Sequence, residues 1–181
     1  MALPTTEIVD TPAGEKMCLV RIDKHLKGEH SVSVGGQYNC QMPTVNGKLQ
    51  LKLIINTGGA CDEDPAMIPN NSVLTAQGFY ILRNDRLAHF WGTFAIQNPA
   101  GSTLIKGRIE TFYRVGSHTT NTTNNCEPCD PDRHVEGWLV GAHRDGKRSL
   151  RAMIAARASA PTPTNTPAFV GKLAGVVVRP V

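Results

Sequence analysis

Residues 126–138 read CEPCDPDRHVEGW, and their spacing suits several kinds of chemistry. Cys126 and Cys129 stand two residues apart, the spacing that brings two thiolates to one metal ion. His134 follows five residues after Cys129, and His118 precedes Cys126 by eight. Cys126, Cys129, His134 and His118 could therefore supply the four N and S donors of a tetrahedral zinc site, although the spacing matches no familiar finger. Zinc is the one cofactor the sequence offers.

CEPC also compares with the Cys-x-Pro-Cys of thioredoxin-like proteins, where a helix N-terminus activates the first thiol. Here the flanks are Asn125 and Asp130, no βαβ pattern surrounds them, and Glu127, Asp130 and Asp132 disfavour a thiolate. The third reading is a staple. A disulfide or structural metal would pin a long loop between two strands and limit the disorder of the unfolded chain. This reading is the favoured one, with free thiols also open.

Cys18, Cys40 and Cys61 are dispersed, and Cys18 falls on an apolar strand face as a small buried residue. Five cysteines and an N-terminus without a basic and apolar leader fit a reducing compartment, so the expected location is cytoplasmic. An extracellular protein whose leader was removed stays open. The acids Asp62, Glu63 and Asp64 could gather around calcium, but they lack the spaced pattern of a calcium loop and read as a solvated turn.

Three residues on expected strands are candidates for catalysis: Glu110, Glu136 and Tyr113. If they face inward with Lys106, Arg108 and Trp138, they make a polar pocket floor; if outward, they are solubilising groups. Lys106 and Arg108 are expected outward, and Glu136 is left open. No Ser-His-Asp set, phosphate-cradling glycine loop, dinucleotide fingerprint or His-Glu-x2-His helix is present.

The elements that position these residues alternate with period two, as half-buried strands do. Such stretches are EKMCLVRID, HSVSV, KLQLKLII with Leu49, Leu51, Leu53 and Ile55 on one face, and GFYILRNDRLAHFWGTFAIQN, a hairpin turned at Asn84-Asp85. In the second arm of that hairpin Phe90, Phe94 and Ile96 oppose His89, Trp91 and Thr93. NPAGS then turns the chain into TLIKGRIETFYRV, which completes a three-strand meander. HVEGWLVGA, LRAMIAARASA and FVGKLAGVVVRP follow; the second is rich in helix formers, but its alternation favours a strand.

Residues 1–15 form an N-terminal arm, and 16–181 one domain with loops 56–72, 116–133 and 160–168. Gly92, Gly107, Gly137, Gly141 and Gly175 sit inside expected strands, where glycine marks a bend or a close backbone approach. About eight strands with such glycines predict an all-β fold, a small antiparallel barrel in the manner of lipocalins, with a sandwich as the alternative.

The run FWGTFAIQNPAGSTLIKGRIE, two strands about a glycine-bearing turn, resembles small barrels of the allene-oxide-cyclase and dirigent type. The resemblance covers about the central third of the chain and is one of pattern, with no catalytic motif to carry across. It implies an apolar interior that folds a reactive substrate for cyclisation or coupling.

Two classes of function follow. The first is a binding or structural module with a stapled loop, meeting a small apolar molecule or a protein partner. The second is a small lyase, isomerase or cyclase working inside the barrel. The apolar inner faces favour the first. A net charge of +4 without a basic stripe excludes nucleic acid, and no apolar run is long enough to enter a membrane. Self-association into a homo-oligomer through an edge strand or apolar patch stays open.

Overall fold

Period-two alternation cannot be buried by a helix, whose faces repeat about every 3.6 residues, so the chain resolves into strands. The computed structural model describes residues 6–34, 37–38, 46–56, 62–84, 87–114, 134–158 and 168–181. Its strands are β1 (Thr6–Asp10), β2 (Lys16–Val34), β3 (Gln37–Tyr38), β4 (Asn46–Asn56), β5 (Ser72–Asn84), β6 (Leu87–Gln97), β7 (Thr103–Arg114), β8 (His134–His143), β9 (Ser149–Ala158) and β10 (Ala168–Pro180). Among the described residues no helix is long and apolar enough to cross a membrane.

Strands β4 to β10 pair in sequence as antiparallel neighbours, and β2 pairs with both β10 and β4, closing an eight-stranded barrel. Closure sets the sandwich alternative aside. β2 runs for 19 residues, long enough to pair with β1 at Lys16–Val20 and further along with β4 at His25–Ser33. The stretches EKMCLVRID and HSVSV, expected as separate strands, are its two ends. β1, within the segment expected as an irregular arm, pairs with the first turn-proximal residues of β2, from Lys16 to Val20.

Following the register round the barrel from Ser33 passes through Lys48, Phe79, Trp91, Glu110, Trp138, Met153 and Ala174. It returns to β2 at Asp23, ten residues earlier in the chain. Such a stagger goes with strands steeply tilted to the axis, and eight strands leave an interior that side chains can fill. They do fill it. Ile22, Leu53, Ile55, Leu74, Phe90, Phe94, Ile96, Ile105, Ile109, Leu139, Ile154 and Leu173 are all buried inside, each contributing about 1.5–3 kcal/mol relative to exposure.

The expected inner faces hold at Leu53, Ile55, Phe90, Phe94 and Ile96, and Cys18 is buried with a free thiol. β9 is a strand in spite of its alanines, with Leu150, Ala152, Ile154 and Ala156 inward.

The interior glycines meet neighbouring backbone. A Cβ at Gly78 would lie 2.1 Å from the Trp91 carbonyl oxygen, and one at Gly92 2.1 Å from that of Gln77. Only a side chain without a Cβ lets β5 and β6 coil this closely.

One end of the barrel is sealed by residues 62–71. Met67 and Ile68 are buried there. The acids read as a solvated turn are in fact engaged: Asp62 pairs with Lys24 inside the barrel, and Glu63 joins the edge of β2. The Glu63 amide donates to the Arg21 carbonyl at 3.1 Å, and the Arg21 amide donates to Glu63 Oε2 at 3.0 Å. Those two bonds fall at the edge of β2 between its pairings with β1 and β4. The loop thus does there what a strand would do, because an unpaired strand edge must find partners.

Two tight turns at the same end carry their own chemistry. Asn98 accepts from the Ser102 amide through Oδ1 at 2.8 Å, and Gly101 takes the left-handed conformation at φ 86°. In the β8–β9 turn Asp145 Oδ1 accepts from the amides of Lys147 and Arg148, and Oδ2 from Arg148 Nε at 2.6 Å.

Candidate functional site

The alternation that fills the barrel also dictates what lies outside it. On β6, Phe90 and Phe94 point in, so His89, Trp91 and Thr93 point out. On β7 Ile109 and Thr111 are buried, so Lys106, Arg108 and Glu110 face outward, and on β8 Glu136, Trp138 and Val140 do the same. The polar pocket floor considered for Glu110 and Glu136 therefore does not exist inside the barrel. Both carboxylates belong to the exterior.

Register then places exterior residues side by side. Phe79, Trp91, Glu110 and Trp138 are successive cross-strand partners on β5, β6, β7 and β8. The two tryptophans are the only ones in the chain, and they stand on either side of Glu110 with 39% and 49% of their surfaces exposed. Phe79 is 56% exposed. Apolar groups of this size left on a surface in one row make a candidate binding site.

Around the row lies an open groove of about 990 Å³, lined also by Gln77, His89, Thr93, Arg108 and Val140. His89 anchors its polar side. Its Nε2 donates to Glu110 Oε1 at 2.7 Å. Its ring stacks on Phe112 at 4.8 Å and tilts against Trp91 at 5.3 Å. Held from three directions, His89 fixes one oxygen of Glu110, and 43% of the Glu110 side chain stays exposed.

Of the sequence candidates, Glu110 lies in this groove. Glu136 is exposed on β8, opposite Phe112 and Ala155 in register, and does not line it. Tyr113 pairs with Ala88 and Val135. Cys126, Cys129 and His118 lie outside the described residues; His134 opens β8, opposite Arg114 and Arg157. Among the described residues no group of three or more His, Cys, Asp and Glu side chains could hold a metal ion.

His89, Trp91 and Trp138 carry the site beside Glu110. Their outward faces were legible from alternation, but their adjacency depends on the register of four strands.

The fold and groove define an antiparallel eight-stranded barrel with an aromatic exterior site. Compared with described protein families, curated proteins and solved structures, the chain matches none.

Proposed function

We propose that this protein is a binding module whose ligand site is the exterior groove between Trp91 and Trp138. The observation that carries the reading is the position of the chain's only two tryptophans, both exposed and both flanking Glu110. The interior favours binding outside over a cyclase or isomerase working within, because most described inward positions are filled by buried aliphatic and aromatic side chains, and the buried charge of Lys24 is taken up by Asp62. Among the described residues the groove lining holds one carboxylate and no serine, cysteine or lysine. Hydrolysis of a glycosidic bond asks for two carboxylates, so this lining suits holding a molecule more than cleaving it.

The two indole N–H signals in a nitrogen-15 correlation spectrum report on the groove directly. Screening a library of small aromatics, sugars and amines should give hits that move both indole signals. Hits that shift interior residues such as Phe90 and Phe94 and leave both indoles still would overturn the exterior site and revive the interior one.

The Cys126–Cys129 segment connects Arg114 and His134, which are themselves cross-strand partners. We read it as a staple on that connection, by disulfide or by zinc. Metal analysis with a thiol count on the same sample tests this: one zinc per chain or two missing thiols supports it, and five free thiols without metal overturns it.

A further inference from the structure

We propose that the groove takes an uncharged, extended β-linked glycan, laid across Trp91 and Trp138 with its hydroxyl rim turned to Glu110 and Arg108. This rests on the exterior-groove reading and names the ligand class for it. Three observations point the same way.

The first is spacing. Trp91 and Trp138 lie two strands apart in register, with Glu110 between them. Neighbouring strands are about 4.7–4.9 Å apart, so the two indoles rise from points about 9.4–9.8 Å apart. That is close to the length of two sugar units in an extended chain. Alternate units of such a chain present the same face, so one chain can meet both indoles at once.

The second is the pairing of apolar faces with polar rims. A pyranose has a face of C–H groups, whose positively polarised hydrogens suit the electron-rich face of an indole. Its edge carries hydroxyls, each both donor and acceptor. The groove answers with an acceptor at Glu110, donors at Arg108, and both kinds at Gln77 and Thr93.

The third is charge. Arg108 and Glu110 stand on the same outward face of β7, two residues apart, and carry opposite signs. An organic cation would gain from Glu110 and lose to Arg108, within a chain of net charge +4. A polyanion would meet the reverse. A neutral ligand avoids both costs.

The test titrates cellotetraose and tetra-N-acetylchitotetraose, both uncharged and β-linked, into the whole chain. Tryptophan fluorescence and calorimetry follow binding, with choline as the cationic control. The expected result is saturable binding of at least one tetrasaccharide, tighter for four units than for two. Trp91→Ala and Trp138→Ala should each weaken it at least tenfold while circular dichroism stays unchanged. Absence of heat and spectral change with both sugars would overturn the proposal. Choline saturating the same tryptophans would overturn the glycan class and leave the groove reading standing. Sugar binding untouched by either substitution would overturn the groove reading itself. Self-association lost in both variants would give the groove to a second copy and overturn the proposal.

Discussion

Lys24 Nζ donates to Asp62 Oδ2 at 2.5 Å across 38 positions of sequence, with both side chains buried. The pair ties the connection between β4 and β5 to the middle of β2. It lies on the inner side of a barrel filled mostly by hydrocarbon. Neither charge is affordable there alone: each has left water, and their mutual attraction is what offsets that loss.

Removing one partner is therefore expected to cost more than removing both. Asp62→Ala should destabilise by about 3–5 kcal/mol, because it strands a buried ammonium. The double change Lys24→Met with Asp62→Leu should recover most of that. Urea denaturation of the two singles and the double closes the cycle. Equal, additive losses would show that the pair makes no coupled contribution.

Gly92→Ala should be among the most damaging small substitutions in the chain. The added Cβ would sit 2.1 Å from the Gln77 carbonyl oxygen and 2.7 Å from the Gly78 Cα, both backbone atoms that cannot rotate away. A loss of at least about 1–3 kcal/mol is expected from overpacking of this kind. A thermal midpoint unchanged from the parent would show that β5 and β6 separate freely.

Thr111 offers the opposite case. Its side chain is fully buried, and its Oγ1 has no hydrogen-bond partner among the described residues. Thr111→Val keeps the shape and removes a hydroxyl taken from water. The change is expected to be neutral or stabilising, by up to about 1–3 kcal/mol, the cost of a buried polar group left unpaired. A clear loss of stability in denaturant would mean that the hydroxyl is satisfied after all.

Asp145 sets an acid limit on the β8–β9 turn. The Lys147 amide, then the Arg148 guanidinium and amide and His143, hold its carboxyl well below the usual carboxylate range in the folded chain. A carboxyl lowered by folding stabilises fully above its unfolded value, near 3.8, and that contribution is lost as pH falls toward the folded one. Asp145→Asn should thus be less stable than the parent at pH 7, with the gap narrowing below pH 3.8. A gap of constant size from pH 7 to pH 2 would remove the carboxylate from the account.

How much of this was legible beforehand can be traced residue by residue. Phe90, Phe94 and Ile96 against His89, Trp91 and Thr93 were readable, because each strand sorts its own side chains by parity. Leu150 to Ala156 were readable for the same reason, since burial of one face outweighs the weak helix preference of alanine. The continuity of β2 was obscured by one residue. Lys24 occupies an inward position and interrupts the apolar alternation, and the Asp62 that makes it tolerable lies far along the chain. β1 was missed because Thr6–Asp10 is short and carries no strong alternation; its partner edge on β2 is what makes it a strand.

Local sequence suffices for the class of fold, the turn at Gly101, and the sorting of inner from outer side chains. Each of these follows from interactions spanning a few residues: a period of two, or a backbone angle that glycine permits. The row of Phe79, Trp91, Glu110 and Trp138, the completion of a β2 edge by Glu63 and the answer of Asp62 to Lys24 arise only in the closed barrel. Those depend on cross-strand register and barrel stagger. Both are set by closing all eight strands at once, and no local segment carries that information.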